Sequence, residues 1–137
     1  MNKKVLFLCT GNSARSILAE ALLNRLGQGA YEAFSAGSDP TGAVNPFTLK
    51  LLGDEGYNVN AFKSKNLQQF LNNSFDYVIT VCDNANNNCP IFAGSAKKIH
   101  WGLEDPAAFD GDDDAKYQQF KDTYEDLEKK IKDFIDF

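Results

Sequence analysis

The residues best suited to chemistry form one short segment, from Cys9 to Ser16. Cys9 ends an apolar run, five small or polar residues follow it, and Arg15 and Ser16 come next. A loop of small residues that leads into a helix directs several backbone N–H groups inward, and together they bind a tetrahedral anion. We therefore predict an oxyanion site whose backbone is supplied by Thr10, Gly11, Asn12, Ser13, Ala14 and Arg15.

Three side chains of this segment have distinct chemical uses. The positive end of a helix stabilises a cysteine thiolate, which makes Cys9 the candidate nucleophile. Arg15 can hold two oxygens of an anion in a planar fork, which a lysine could not do. Ser16 can hydrogen-bond the sulfur and improve it as a leaving group. The pattern predicts attack by a thiolate on a bound tetrahedral anion.

The hydrophobic pattern predicts the elements that position this loop. Alternating strands and helices predict an α/β sandwich with a mainly parallel sheet. Ligands of such sheets bind at the carboxyl ends of the strands, and Cys9 lies at the end of the first one. The predicted strands are 3–8, 31–36, 75–81 and 97–101, and the predicted helices are 16–26, 45–56, 66–72 and 115–136.

The length and the charge of the chain limit the classes of protein to which it can belong. The 137 residues predict a single domain over 1–137. The net charge is −5, and residues 104–137 carry twelve acidic and five basic side chains. This balance argues against nucleic acid as the main partner, and no apolar run is long enough to span a membrane. We expect a cytoplasmic protein, with a solvated acidic loop at 109–115 that caps the last helix.

The cysteines argue against both structural disulfides and a zinc site. The chain has three of them, Cys9, Cys82 and Cys89. An odd number in a cytosolic chain does not form a structural disulfide framework. Three thiols and a single histidine are also poor material for a closed zinc site, so we predict no metal centre.

The segment from Cys9 to Ser16 resembles the low-molecular-weight protein tyrosine phosphatase superfamily, whose signature is C-x5-R-S. The resemblance extends along nearly the whole chain, since residues 34–37 resemble the second strand of that superfamily and Asp105-Pro106 resembles its general-acid loop. It implies an α/β three-layer sandwich, with a four-stranded, mainly parallel sheet and helices on both faces. It also implies that Asp105 is the catalytic acid.

Two further segments separate the branches of this superfamily. Residues 82–90, CDNANNNCP, and residues 100–107, HWGLEDPA, resemble the arsenate reductases that are coupled to thioredoxin. In tyrosine phosphatases of this superfamily, the Asp-Pro pair is usually followed by an aromatic residue that lines the slot for phosphotyrosine. Here Ala107 follows instead.

The resemblance to arsenate reductases implies a relay of three thiols. Cys9 attacks arsenate held by the loop and Arg15, and Asp105 protonates the departing oxygen. Cys82 then attacks Cys9, which releases arsenite and leaves a Cys9–Cys82 disulfide. Cys89 attacks Cys82, and thioredoxin reduces the final Cys82–Cys89 disulfide.

The relay constrains the segment between the second and third cysteines. In a straight helix, residues 82 and 89 would have Cα atoms about 10.5 Å apart, whereas a disulfide needs them within roughly 7 Å. We therefore expect this segment to unwind in each cycle. Its asparagines favour turns over helix interiors.

The resemblance also places an alkali-cation site beside the loop, at Glu20 and Ser35. In the corresponding segment this chain has Lys63 and Lys65, where those relatives have neutral or acidic residues. A lysine ammonium could replace the cation. We expect no tightly bound cofactor, with an alkali cation as the one group that the resemblance leaves open.

Three functions remain open at this point. The first is a monomeric arsenate reductase that takes arsenate, or a phosphate-type oxyanion, and uses thioredoxin as its reductant. The second is a phosphatase for phosphotyrosine or aryl phosphates that forms a cysteinyl-phosphate, and it needs only Cys9, Arg15 and Asp105. The third is a regulatory protein that binds oxyanions or senses redox state with little turnover.

Overall fold

The computed structural model describes residues 2–82 and 96–136. Cys89, and with it nearly all of the segment expected to unwind, lies outside these residues. Four strands are present, β1 (Lys3–Cys9), β2 (Tyr31–Gly37), β3 (Tyr77–Thr80) and β4 (Lys97–His100). The helices are α1 (Arg15–Leu26), α2 (Pro46–Asp54) and α3 (Asp113–Ile135), with 3-10 turns at Val59–Ala61, Leu67–Phe70 and Pro106–Ala108.

The four strands form one parallel sheet in the order β2-β1-β3-β4. β1 is central, and its residues from Val5 to Cys9 are buried on both faces. This explains why its sequence is a continuous apolar run without alternation. The predicted four-stranded parallel α/β sheet is confirmed, and Cys9 ends its central strand.

Both faces of the sheet are covered. On one face Ser35 of β2 contacts Glu20 of α1, and the ring of Phe134 of α3 packs against Tyr31 and Tyr77. On the other face Phe34 packs against two rings that follow α2 in the chain, Phe70 and Phe75. Because side chains alternate along a strand, Phe34 and Ser35 must point to opposite faces. The structure is thus the predicted three-layer sandwich.

Side chains cap the starts of α2 and α3. The Asn45 side chain accepts a hydrogen bond from the N–H of Phe47, and Pro46 occupies the first turn of α2. Asp112 caps α3 in the same way, with Asp113 and Asp114 in the first turn, where negative charge is favoured. The acidic run therefore caps the last helix, as predicted.

The helix predicted over 66–72 was wrong in type and length. The structure has a short 3-10 helix at Leu67–Phe70, closed by a bond from the N–H of Leu71 to the carbonyl of Gln68. Asn72, Asn73 and Ser74 follow, and residues of this kind favour turns over helix continuation. The strand predicted over 75–81 is also shorter, since it covers only Tyr77–Thr80.

Candidate active site

Cys9 lies at the carboxyl end of β1, where the chain turns into the predicted anion-binding loop. Its side chain is buried, with the whole residue only 3% exposed. Two groups contact the sulfur: the hydroxyl of Ser16, at 2.9 Å, and the backbone N–H of Asn12, at 3.2 Å. Both can donate a hydrogen bond to a thiolate. The loop and the first turn of α1 therefore supply both of these hydrogen-bonding groups.

The carbonyl groups of the loop point away from its centre. The Thr10 carbonyl accepts from the N–H of Asp39, and the Gly11 carbonyl accepts from the N–H of Thr41. The Ser13 carbonyl accepts from the N–H of Asn45 and from the hydroxyl of Thr48. In a trans peptide the N–H points opposite to the carbonyl, so the N–H groups of the next residues, Gly11, Asn12 and Ala14, face inward. This orientation agrees with an anion-binding loop, and the binding of an oxyanion by residues 10–15 stays a prediction.

The first turn of α1 adds to the positive field inside the loop. Ala14 stands at the N-cap position and provides no side-chain hydrogen bond to the helix. A helix N-terminus carries a partial positive charge on its unpaired N–H groups, which attracts an anion. The loop and the helix thus act on the same point, just beyond Cys9.

Asn12 holds the loop in shape. It is fully buried and has a φ of 46°, in the left-handed region that asparagine tolerates better than most residues. Its side-chain N–H donates to the Ser16 hydroxyl at 2.8 Å, and its side-chain oxygen accepts from the N–H of Lys65 at 2.7 Å. Asn12 is therefore both a turn residue and a brace for the loop.

Gly37 allows the second strand to pass close to this loop. A Cβ atom at this position would lie 2.5 Å from the Thr10 carbonyl oxygen and 3.1 Å from Asn12. A side chain here would push the backbone of the loop outward. The glycine that ends β2 is thus part of the site, although sequence analysis assigned it only to the end of a strand.

Arg15, the last residue of the predicted anion-binding loop, lies beside Asp105. One guanidinium nitrogen of Arg15 donates to the carbonyl of Leu103 at 2.9 Å, and another lies 3.8 Å from a carboxylate oxygen of Asp105. The other carboxylate oxygen of Asp105 accepts from the N–H of Ala107. The Arg15 side chain is 14% exposed and that of Asp105 is 43% exposed. One oxygen of Asp105 is therefore held by the Ala107 N–H and the other lies beside the Arg15 guanidinium. The role of Asp105 as general acid stays a prediction.

Cys82 lies beside the same loop. β3 pairs with β1 in parallel, so the carboxyl ends of the two strands are adjacent. The Cys82 sulfur contacts the Thr10 hydroxyl at 3.4 Å, and Cys82 is only 5% exposed. No disulfide joins Cys9 to Cys82. The structure thus brings two of the three predicted thiols to one edge of the sheet.

A partly buried cluster of charged and polar groups lies next to the loop. The Lys65 ammonium lies 3.4 Å from a Glu20 carboxylate oxygen, 3.3 Å from the Ser35 hydroxyl and 2.9 Å from the carbonyl of Lys63. The Ser35 hydroxyl also donates to Glu20. Burial raises the pKa of Glu20, and the charge of Lys65 acts in the opposite direction. A lysine ammonium therefore lies between Glu20 and Ser35, where the sequence placed a possible cation.

Several of these contacts were not visible in the sequence. The Leu103 carbonyl that fixes Arg15, the Lys65 N–H that holds Asn12 and the Thr10 hydroxyl that contacts Cys82 all join residues far apart in the chain. No local pattern predicts such pairs. A glycine directly after a strand, as at Gly37, was the one available signal of a close backbone approach.

We expect an inorganic anion in the loop to protect Cys9 from alkylation. Sulfate at about ten times its Kd should slow the reaction of Cys9 with iodoacetamide about tenfold, because the bound anion blocks access to the sulfur. Peptide mapping by mass spectrometry gives the rate at each cysteine, with sodium chloride at equal ionic strength as the control. An unchanged rate at Cys9 would show that the loop does not hold an anion over this sulfur.

The comparisons with known proteins agree with this geometry. The family described as low molecular weight phosphotyrosine protein phosphatase matches residues 4–136. The chain belongs to this family. The match covers both the loop from Cys9 to Ser16 and the segment that carries Asp105.

Relatives within the low molecular weight phosphatase family include arsenate reductases. The chain is 36% identical over 137 residues to the arsenate reductase of Halalkalibacterium halodurans. That alignment covers 99% of this chain and 98% of the relative. A solved arsenate reductase from Archaeoglobus fulgidus has a TM-score of 0.78 and 26% identity, covering 97% and 99% of the two chains. A thioredoxin-dependent arsenate reductase from Corynebacterium glutamicum has a TM-score of 0.71 and 28% identity, covering 97% of this chain and 60% of that one.

These similarities confirm the family inferred from the C-x5-R-S motif, and arsenate reductases are among the similar members of that family.

Two other features of the chain concern metals and membranes. Within residues 2–82 and 96–136, no group of three or more histidine, cysteine or acidic side chains could hold a metal ion. In the same part of the chain, no helix has the length and apolar character needed to cross a membrane.

Proposed function

We propose that this protein reduces arsenate to arsenite through its thiols and takes its electrons from thioredoxin. The observation that carries the proposal is the contact between the Cys82 sulfur and the Thr10 hydroxyl. A phosphatase of this family needs one thiol in the loop, whereas a reductase needs a second one close enough to attack the first. The contact of Cys82 with the loop that follows Cys9 supports this role for Cys82.

In the first step, the Cys9 thiolate attacks arsenate bound in the loop. A sulfur–arsenic bond forms, and one arsenate oxygen leaves as water after Asp105 gives it a proton. The inward N–H groups and Arg15 stabilise the negative charge on the remaining oxygens. The Ser16 hydroxyl and the Asn12 N–H hold the sulfur in line with the arsenic.

In the second step, Cys82 attacks the sulfur of Cys9. The sulfur–arsenic bond breaks and its electron pair stays on arsenic, so arsenic(V) becomes arsenic(III) and leaves as arsenite. The two sulfurs lose those two electrons and form a disulfide. The Thr10 hydroxyl can donate to Cys82 and stabilise the attacking thiolate.

In the third step, Cys89 attacks Cys82 and releases Cys9 as a thiolate. Thioredoxin, a dithiol, then reduces the Cys82–Cys89 disulfide, so the cycle consumes one dithiol for each arsenate. Because all groups of the loop come from one chain, we propose that the protein acts as a monomer. The cycle starts from free thiols, which a reducing compartment such as the cytoplasm maintains.

Phosphatase activity is the second candidate, because Cys9, Arg15 and Asp105 suffice for it. The small residue that follows Pro106 argues against phosphotyrosine as the preferred substrate, since Ala107 gives no aromatic wall. Steady-state assays of arsenate with thioredoxin, and of an aryl phosphate without it, test the choice. Reductase turnover that depends on thioredoxin supports the proposal, whereas aryl phosphate hydrolysis with no arsenate turnover would favour the phosphatase.

We also propose that the Lys65 ammonium does the work of a bound alkali cation behind the loop. It neutralises Glu20, and its own backbone N–H holds Asn12. The unchanged protein should therefore have the same free energy of unfolding in potassium chloride and in choline chloride at equal ionic strength. A clear stabilisation by potassium would show that a cation still binds.

Replacing Lys65 with methionine should lower the free energy of unfolding by about 1–3 kcal/mol, because Glu20 loses its buried counter-charge. Both side chains are less than a quarter exposed, so solvent screens the pair only in part. Lys63→Met is the matched control and should cost less than about 0.5 kcal/mol, because the Lys63 side chain is exposed. Urea unfolding measures both variants.

The stability cost of Lys65→Met should depend on pH, in a direction that follows from the pKa of Glu20. The pKa of Glu20 is raised in the folded protein, so its contribution to stability is greatest at low pH and is lost as pH rises through that pKa. Loss of Lys65 raises the pKa of Glu20 further. The cost of Lys65→Met should therefore be larger at neutral pH than at acidic pH, and an equal cost at both would contradict the role given to Glu20.

A further inference from the structure

A cavity lies between the sheet and α3, away from the anion-binding loop. Its volume is about 480 Å³, within the range of roughly 300–1,000 Å³ that small-molecule sites occupy. Three of its lining residues, Tyr31, Tyr77 and Lys97, are the first residues of β2, β3 and β4. No residue of the loop from Cys9 to Ser16 lines this cavity.

The floor of this cavity is built from aromatic rings. The Phe134 ring lies 5.4 Å from that of Tyr31, 5.0 Å from that of Tyr77 and 6.2 Å from that of Trp101. The four side chains are partly exposed, so the floor presents ring surface to the cavity. Rings of this kind bind a further flat ring by offset or edge contacts.

The rim of the cavity is positively charged, although the protein as a whole has a net charge of −5. Lys97 and Lys130 line it together with one acidic residue, Asp133. The Lys3 ammonium also lies 5.7 Å from the centre of the Tyr77 ring. Across residues 2–82 and 96–136, neither Lys97 nor Lys130 forms an ion pair with a carboxylate. The lysines are therefore available to an acidic group from outside.

We propose that this cavity, the aromatic pocket, binds a small anionic ligand with a flat aromatic body. The ring of the ligand would stack on the floor, and its acidic group would pair with Lys97 and Lys130. A neutral aromatic compound would leave the two ammonium groups unpaired. An inorganic anion would leave the rings uncovered.

Two probes that differ by one acidic group test the proposal. The anionic probe is 8-anilinonaphthalene-1-sulfonate, and the uncharged probe is N-phenyl-1-naphthylamine. Each is titrated by fluorescence into the reduced full chain, with inorganic phosphate present to fill the anion-binding loop. We expect one molecule of the sulfonate per chain, bound roughly tenfold more tightly than the uncharged probe.

Matched lysine variants locate the site. The double variant Lys97→Gln/Lys130→Gln should weaken the sulfonate about tenfold and leave the uncharged probe unchanged. The control, Lys98→Gln/Lys129→Gln, changes the net charge equally at two exposed lysines that do not line the pocket. Equal losses in both variants, equal affinity for the two probes, or displacement of the sulfonate by phosphate would each overturn the proposal.

Discussion

Replacing Cys82 with serine should abolish arsenate turnover and leave hydrolysis of an aryl phosphate within about twofold of the unchanged protein. Arsenate reduction requires a second sulfur to take the oxidising equivalents, and a hydroxyl cannot form the disulfide. Phosphate ester hydrolysis uses only the loop, Arg15 and Asp105. Serine keeps a polar group beside the Thr10 hydroxyl, so the packing of this edge of the sheet should change little.

Cys9→Ser is the matched comparison, because it removes the thiol that both reactions need. It should abolish both activities. If Cys82→Ser also lost both, the Cys82 side chain would be needed to hold the loop and not as a redox group. If it kept normal arsenate turnover, another reductant would be attacking the sulfur–arsenic intermediate.

Replacing Asp105 with asparagine should lower turnover of arsenate by roughly 10²–10⁴-fold, with a smaller change in anion affinity. The departing oxygen would then leave without a proton from a positioned acid. The side-chain oxygen of asparagine can still accept the hydrogen bond from the Ala107 N–H, so the loop should keep its shape. The loss is therefore expected in kcat, measured in steady state at several arsenate concentrations.

Glu104→Gln is the control for this prediction, because Glu104 is adjacent, acidic and exposed. It should leave turnover nearly unchanged. Normal turnover in Asp105→Asn, combined with a large loss in Glu104→Gln, would move the acid role to Glu104.

The parts of the site that are local in sequence were predictable. A run of small residues between Cys9 and Arg15 indicates an anion-binding loop. Backbone N–H groups bind the anion in such a loop, and small side chains leave room for it. The strands and the three longer helices followed from their hydrophobic pattern and capping residues. Cys82 was predicted as a participant only through the resemblance to arsenate reductases.

The contacts that fix the exact shape of the loop were not predictable. The left-handed conformation of Asn12 depends on a backbone N–H supplied by Lys65, more than fifty residues away. The helix predicted over 66–72 was wrong for a local reason. The asparagines and the serine that follow Leu71 favour a turn, so only a short 3-10 helix forms at Leu67–Phe70. In both cases tertiary context or turn chemistry outweighs the local pattern.

The most direct test of the relay is a single turnover of the Cys89→Ser variant with arsenate and no thioredoxin. Without the third thiol, the reaction should stop after the second step. Arsenite analysis and mass spectrometry of the unreduced protein should find one arsenite per chain and a disulfide that joins Cys9 to Cys82. Arsenite released while Cys9 and Cys82 both remain free thiols, or no arsenite at all, would contradict the account.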